Sequence, residues 1–237
     1  MPKAYFDFKR FRIFHDKCAM KVGTDGVLLG AWSCAGSEHR TVLDVGTGSG
    51  LIAIMLAQKT QAVIWGVDID ENAVIQANEN AAATEWSDRL HFLHSDISSF
   101  SPDFQFDLLV SNPPFFSRSL KCPDGVRSQA RHTDSMSFGE LIGSASRLLA
   151  ENGRFEVVLP AERADEFVHE SWINGLNLER KTFVYTKEGQ TEAKRVLLGF
   201  MKGECSYPSS DKLYIRCADG EYTEEYKSMT ADYYLHY

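Results

Sequence analysis

Short apolar runs alternate along the chain with longer segments of helical period. The apolar runs are rich in Val, Leu, Ile and Phe, which is typical of strands that are buried on both faces. They predict strands near residues 41–45, 62–67, 90–94, 106–110 and 154–159. Helices are predicted near 50–58, 71–83 and 137–149, with Asp70 and Ser137 as N-caps. Strands that alternate with helices indicate a parallel sheet with helices on both faces.

Two later apolar runs have no helix between them. They cover residues 178–186 and 195–201 and are joined by the polar residues 187–191. This pattern predicts a hairpin that adds an antiparallel edge to the parallel sheet. Ligands of such sheets bind outside the carboxyl ends of the strands, so the polar residues that follow each predicted strand are the candidates for function.

The most informative candidate follows the fourth predicted strand, at residues 111–115 (SNPPF). The Asn112 side-chain oxygen accepts one hydrogen bond and the Pro113 carbonyl can accept a second, while the two prolines fix φ. Phe115 adds a flat apolar face. The combination suits a planar group that carries an NH2, because both hydrogens find acceptors while the ring stacks on Phe115. A proline-rich turn at a strand end is the purely structural interpretation.

A glycine-rich turn follows the first predicted strand. Residues 46–50 (GTGSG) lie between a strand and a helix, where glycine lets a ligand approach the backbone and the helix N-terminus favours polar or anionic groups. The spacing is G-x-G-x-G rather than the G-x-G-x-x-G of dinucleotide binders, which argues against a hydride-transfer enzyme.

Acidic residues follow the next two predicted strands. Asp68 ends the second strand and is placed to accept hydrogen bonds from two ribose hydroxyls, because Asp70 is the better helix cap. After the third strand, Asp96 can accept a hydrogen bond from an adenine amino group while Ile97 packs on the ring. The parallel sheet is expected to bring these residues, the glycine turn and Asn112 into one crevice.

These motifs resemble the motif series of S-adenosylmethionine-dependent amino-methyltransferases. The motifs that carry this resemblance are residues 43–50 (LDVGTGSG), 67–68 (VD), 95–97 (SDI) and 111–115 (SNPPF). A narrower resemblance, to the bacterial tRNA(Val) adenine-37 N6-methyltransferase family, covers nearly the whole chain. The segments that carry it are residues 8–11, 15–32, 127–131 and 195–200 and the Tyr-rich end.

The resemblance implies a Rossmann-like class I methyltransferase: an α/β fold with a mostly parallel seven-stranded sheet and an antiparallel C-terminal hairpin. It implies S-adenosylmethionine-dependent N6-methylation of an adenine in tRNA, at position 37 of a valine tRNA. It also implies that the segment at Thr24 closes over the cofactor, whereas the residues alone favour a helix cap at Thr24 and Asp25. Catalytic roles are expected for Asn112, Pro113 and Phe115. The expected cofactor contacts are Thr24, Asp44, Gly46, Gly48, Gly50, Asp68, Asp96, Ile97 and Asn112.

Three alternatives to adenine methylation remain open from the sequence. The pair Phe115 and Phe116 departs from the Tyr more usual in adenine enzymes, and NPPF also occurs in guanine-N2 methyltransferases of ribosomal RNA. A glutamine methyltransferase acting on protein is the second alternative, since a glutamine amide is also a planar NH2. The third is a noncatalytic cofactor-binding or RNA-binding module, which the intact Asn112 motif argues against.

The formal net charge of −8 does not suit binding of nucleic acid over the whole surface. Basic residues nevertheless cluster in segments 1–21 and 118–131. Basic residues at the edge of an otherwise acidic protein can bind a folded RNA through its phosphates. The RNA contacts expected from these segments are Lys9, Arg10, Arg127 and Arg131.

Length and composition fit one domain of 237 residues with 43% hydrophobic content. We divide it into a leader and lid (1–40), a catalytic core (41–202) and a C-terminal extension (203–237), whose tyrosines are expected to pack a terminal helix onto the body.

Neither a signal peptide nor a membrane-length apolar stretch is predicted. Five cysteines without a C-x-x-C pair predict reduced thiols in a cytoplasmic protein. Neither a metal site nor an obligate protein partner is indicated.

Overall fold

The computed structural model describes residues 4–114, 136–205 and 207–237. Its helices in these ranges are α1 (Thr24–Trp32), α2 (Leu51–Lys59), α3 (Glu71–Ala82), α4 (Phe138–Leu148), α5 (Ala164–Ile173) and α6 (Glu224–Thr230), with single 3₁₀ turns at Ser87–Arg89 and Ala161–Arg163. Among these helices, none combines the length and apolar character that a membrane span needs.

Ten strands lie in the same ranges. They are β1 (Tyr5–Asp7), β2 (Arg12–Phe14), β3 (Thr41–Val45), β4 (Val63–Asp68), β5 (Leu90–His94), β6 (Phe106–Ser111), β7 (Leu149–Pro160), β8 (Leu176–Lys187), β9 (Arg195–Lys202) and β10 (Ser209–Arg216). The first two form a small antiparallel ribbon. The other eight form one sheet in the order β10-β8-β9-β7-β6-β3-β4-β5.

The Rossmann-like α/β fold is confirmed, with a correction to the predicted number of strands. The sheet has eight strands rather than seven, because β10 joins its edge parallel to β8. The predicted hairpin is β8 and β9, and β9 runs antiparallel to both of its neighbours, β7 and β8. The antiparallel strand therefore lies within the sheet and not at its edge. All the other neighbouring pairs are parallel.

The sheet separates two hydrophobic clusters. In β3, Val42 packs into the cluster on the face of α1, α2 and α3, whereas Leu43 packs into the cluster on the face of α4 and α5. Leu108 and Leu109 of β6 divide in the same way. Because both faces are covered, the strands have no polar face and appear in the sequence as continuous apolar runs.

The predicted N-caps of two helices are confirmed. The Asp70 side chain accepts a hydrogen bond of 2.9 Å from the backbone N–H of Asn72 at the start of α3. Ser137 and Glu140 form a capping box at the start of α4. The cap expected at Thr24 and Asp25 is wrong, since both lie inside α1 and Gly23 is the N-cap without a side-chain bond. Thr24 therefore begins a helix instead of preceding one.

The C-terminal tyrosines pack α6 and the residues after it against the body. Tyr226 and Tyr233 are buried, and the Tyr233 hydroxyl donates to the Met55 carbonyl in α2. Tyr234 stacks on Phe8 of the leader. The packing interpretation of these aromatic residues is confirmed, and the N-terminal ribbon and the C-terminal segment cover the same face of the sheet.

Candidate active site

A cavity of about 640 Å³ lies at the carboxyl ends of β3, β4, β5 and β6. Its walls come from the glycine turn, the residues that follow these strands, the leader segment 18–23 and the N-terminus of α1. Most of the cofactor contacts predicted from the sequence line it, namely Thr24, Gly46, Gly48, Asp68, Asp96, Ile97 and Asn112. The predicted crevice at the strand ends is therefore present.

The glycine turn needs glycine for two different reasons. Gly46 and Gly48 have φ of 69° and 54°, and a Cβ added at either would meet no other atom within 4 Å. Their backbone therefore adjoins open space, into which a ligand can come close. Gly50 also has a positive φ of 79°, but a Cβ there would lie 3.2 Å from Ala77 and Phe92. Gly50 serves the packing of α2 and does not line the cavity.

Asp44 lies behind the glycine turn rather than on the cavity wall. Its Oδ2 accepts hydrogen bonds from Thr47 Oγ1 at 2.7 Å and from the Ala53 backbone N–H at 3.3 Å, and so joins the turn to α2. Within the described residues Oδ1 has no partner, although the side chain is fully buried. Burial raises the pKa of Asp44 to about 7, against the opposing effect of the hydrogen bonds from Thr47 and Ala53.

Asp68 is held by two backbone amides. Its Oδ2 accepts from Gly48 N–H at 2.8 Å and its Oδ1 accepts from Asp70 N–H at 2.9 Å. A carboxylate has about four acceptor sites, so each oxygen can still accept one further hydrogen bond. These two contacts fix the carboxylate beside the glycine turn before any ligand arrives.

Asp96 and Ile97 form the far wall beyond β5. Asp96 is exposed, and its Oδ1 accepts from Ser98 N–H at 2.8 Å. Ile97 is buried against the sheet but still lines the cavity. Asp96 thus offers a carboxylate and Ile97 an apolar surface, the two features that the sequence predicts for contacts with the amino group and the ring of an adenine.

Asn112 follows β6 and lies between the glycine turn and the N-terminus of α1. Its Oδ1 is buried, and no residue of the described ranges donates a hydrogen bond to it. A buried amide oxygen without a donor is costly by about 1–3 kcal/mol, which marks a position where a ligand can supply the donor. The preceding Ser111 donates from Oγ to the Val45 carbonyl at 2.9 Å and so fixes the end of β6 against β3. Pro113 is buried.

An ion pair that sequence reasoning did not find closes one side of the cavity. Arg195 Nε donates to Asp25 Oδ2 at 2.7 Å, joining the first residue of β9 to the first turn of α1. Both residues line the cavity. One feature of the sequence indicated that Arg195 lies near the site. Arg195 begins the second strand of the predicted hairpin, and such an antiparallel strand begins at the edge where the parallel strands end.

Comparisons with known proteins agree on the family. The model of the methyltransferase small domain family matches residues 27–182. A relative from Phocaeicola vulgatus, named tRNA1(Val) (adenine(37)-N6)-methyltransferase, is 49% identical over 235 residues, which cover 99% of each chain. The chain belongs to this methyltransferase family.

Solved structures with low sequence identity share the fold. A predicted O-methyltransferase from Agrobacterium tumefaciens superposes with a TM-score of 0.69 at 18% identity, over 88% of this chain and 96% of that one. Magnesium protoporphyrin IX methyltransferase from Synechocystis, solved with bound S-adenosylmethionine, superposes with a TM-score of 0.51 at 16% identity, over 75% and 76%. The predicted family and enzyme class are confirmed, and so is S-adenosylmethionine as the cofactor that this methyltransferase fold implies.

Of the residues expected to bind RNA, the two that the structure describes, Lys9 and Arg10, do not line the methyltransferase cavity. Lys9 Nζ donates to the Ala231 carbonyl at 2.6 Å. Arg10 forms an ion pair with Glu85 at 2.7 Å and lies over the Trp86 ring. Phe115, Arg127 and Arg131 lie outside the described residues.

Proposed function

We propose that this methyltransferase transfers a methyl group from S-adenosylmethionine to the exocyclic N6 of an adenine in tRNA, at position 37 of a valine tRNA. The observation that carries the proposal is the buried Asn112 Oδ1, which has no donor within the described residues and lies in the cavity wall. The substrate itself is supported by the full-length similarity to relatives named for this reaction.

The cavity residues fit the cofactor. Gly46 and Gly48 leave the backbone open to close approach, and both Asp68 oxygens have acceptor capacity left for ribose hydroxyls. Ile97 offers an apolar surface to the adenine ring of the cofactor, and Asp96 accepts from its amino group. When bound, S-adenosylmethionine supplies an electrophilic methyl group on a positively charged sulfur.

Asn112 and Pro113 activate the substrate amine. The exocyclic nitrogen of adenine is a poor nucleophile, because its lone pair is delocalised into the ring. Accepting its two hydrogens at Asn112 Oδ1 and the Pro113 carbonyl favours a pyramidal nitrogen whose lone pair is available for attack. The same acceptors stabilise the positive charge that develops on the nitrogen. The methylated amine then releases a proton readily, so the mechanism needs no dedicated general base.

The target adenine must leave its stack to reach Asn112, as bases do in other enzymes that act on them. We assign Phe115 the role of stacking on the displaced ring, which is worth on the order of 1–3 kcal/mol per base. For the rest of the tRNA we retain Lys9, Arg10, Arg127 and Arg131 as phosphate contacts. A tRNA substrate also supports the cytoplasm as the place of action.

The division of the chain into leader and lid, core and extension is part of the proposal. It is supported by the leader segment 18–23 and α1, which line the cavity although they precede the first strand of the large sheet. It is also supported by residues 203–237, which follow β9 and add β10 and α6 around the core.

The mechanism is tested with Asn112→Ala. Because its side chain contacts the substrate amine, we expect the rate of methyl transfer to fall on the order of 10²–10³-fold, by analogy with the loss of an oxyanion-hole donor. Single-turnover methylation of an unmodified valine tRNA transcript measures the rate, and titration calorimetry measures cofactor affinity. The affinity should stay unchanged, because the proposal assigns the Asn112 side chain to the substrate amine and not to the cofactor contact that the resemblance implies. Asn78→Ala, an exposed asparagine in α3, is the matched control. A wild-type rate in Asn112→Ala would overturn the acceptor mechanism.

A further inference from the structure

A second cavity of about 730 Å³ adjoins the first at the same edge of the sheet. We call it the edge groove and define it by Pro160, Phe183, Lys194, Arg195, Ser210 and Lys212. These residues come from the end of β7, from Arg195 at the beginning of β9 and Lys194 just before it, and from the neighbouring strands β8 and β10. Arg195 lines both cavities, so the edge groove borders the active site directly.

The strand order places the edge groove on the side of Asn112 that faces away from the cofactor residues. β3, β4 and β5, which carry the glycine turn, Asp68 and Asp96, lie on one side of β6. β7, β9, β8 and β10 lie on the other side. β9 begins two strands away from the end of β6 and three residues further along the strand direction. With a strand spacing of about 4.8 Å and a rise of about 3.3 Å per residue, the two positions are about 14 Å apart. The nucleotides next to a base bound at Asn112 can therefore reach the edge groove.

The edge groove carries positive charge that the protein does not neutralise by ion pairing. Lys194 and Lys212 are exposed, and neither forms an ion pair with a residue of the described ranges. Lys181 adds a third ammonium, which lies 5.5 Å from the centre of the Phe183 ring. Glu162 and Glu192 also line the groove, and Asp25 is paired with Arg195. The charged residues that line the groove are three cations, Lys194, Arg195 and Lys212, and two carboxylates, Glu162 and Glu192, on a chain whose net charge is −8.

We propose that the edge groove binds the nucleotides that flank the target adenine in the same RNA, with their phosphates on Lys194 and Lys212. This inference rests on the proposed function, since it extends the adenine site along the polymer. The half-buried Phe183 forms an apolar floor against which a sugar or base can pack. The register pairs Lys212 with Phe183, so the charge and the apolar floor lie side by side on adjacent strands.

The test compares Lys194→Gln, Lys212→Gln and the double variant with the wild type. We expect the Kd for an unmodified valine tRNA transcript to rise about tenfold in the double variant, because two phosphate contacts are lost. The slope of log affinity against log salt should flatten by about 1.4, at about 0.7 for each single-strand phosphate contact. Cofactor affinity and thermal stability should match the wild type. Lys227→Gln, in α6 and paired with Glu224, is the charge-matched control for the single variants.

The outcomes separate this inference from the proposed function. A wild-type protein that methylates the tRNA transcript, with a double variant that keeps its tRNA affinity and salt slope, would overturn the edge groove alone. A wild-type protein that neither binds nor methylates the transcript would overturn the proposed function and the edge groove with it. A loss of cofactor affinity in the double variant would also contradict the assignment, because the lysines would then act through the cofactor cavity.

Discussion

β6 divides the sheet edge into two sides. The polar groups on these sides differ in whether the protein itself supplies their hydrogen-bond or ion-pair partners. On the cofactor side, Asp68 and Asp96 already accept hydrogen bonds from backbone amides. At the end of β6 and on its other side, the described residues give no donor to Asn112 Oδ1 and no ion pair to Lys194 or Lys212. In the proposed account, the cofactor binds to groups that the protein has already fixed, whereas the RNA itself supplies the missing donor and the missing negative charges.

Asp44 is an exception on the cofactor side, because it is a buried carboxylate and one of its oxygens has no partner among the described residues. Its folded-state pKa of about 7 lies above the usual value of 3.8. Between these values the unfolded state has lost its proton while the folded state keeps it, so the free energy of unfolding falls as the pH rises from about 4 to 7. Above pH 7 both states are ionised and the contribution is constant. The total loss is up to about 4 kcal/mol.

Asp44→Asn removes this dependence, since the amide does not ionise and its oxygen can replace Oδ2 as acceptor for Thr47 and Ala53. We expect the stability of the variant relative to the wild type to increase from pH 5 to pH 8. Urea unfolding of both proteins without cofactor at the two pH values measures the difference. The same difference at both values would show that Asp44 is ionised in the folded protein throughout.

Asp68→Ala removes the carboxylate that two backbone amides hold beside the glycine turn and that we assign to the cofactor ribose. Two hydrogen bonds to a charged acceptor are lost, which we expect to weaken S-adenosylmethionine binding by roughly 2–3 kcal/mol. Titration calorimetry on the folded variant measures the affinity. Asp70→Ala is the matched control, since Asp70 caps α3 and its loss should lower stability by about 1 kcal/mol without a similar loss of affinity. Unchanged affinity in Asp68→Ala would remove this residue from the cofactor site.

The smallest expected effect concerns the basic leader. Arg10 is paired with Glu85, and Lys9 donates to a backbone carbonyl. Since Glu85 already offsets the charge of Arg10, neutralising Lys9 and Arg10 together should flatten the salt dependence of tRNA binding by less than one unit. This change is smaller than the one expected from Lys194 and Lys212. Filter binding across a salt series compares the two pairs, and a larger effect from the leader would reverse their order of importance.

The lining of the cavity at the strand ends was predictable from the sequence because each of its motifs is contiguous and follows its own strand. The glycine turn, Asp68, Asp96 and Asn112 could be assigned from short segments alone. The pair of Asp25 and Arg195 could not, because 170 residues separate its members. β10 was not predicted because its first four residues are polar and exposed, so it lacks an apolar run. Its pairing with β8 depends on the three-dimensional fold and leaves no local pattern in the sequence. β1 and β2 have three residues each, which is too short for a periodic signal.

The identity of the methylated atom decides whether the protein methylates adenine, guanine or a protein amide. An unmodified valine tRNA transcript is incubated with the wild-type protein and labelled S-adenosylmethionine, then digested and analysed as nucleosides, with total protein as a parallel acceptor. The account predicts N6-methyladenosine, mapped to position 37, and no label in protein. N2-methylguanosine would assign the acceptor site at Asn112 to guanine, and label in protein glutamine would assign it to a side-chain amide; either result would contradict the account.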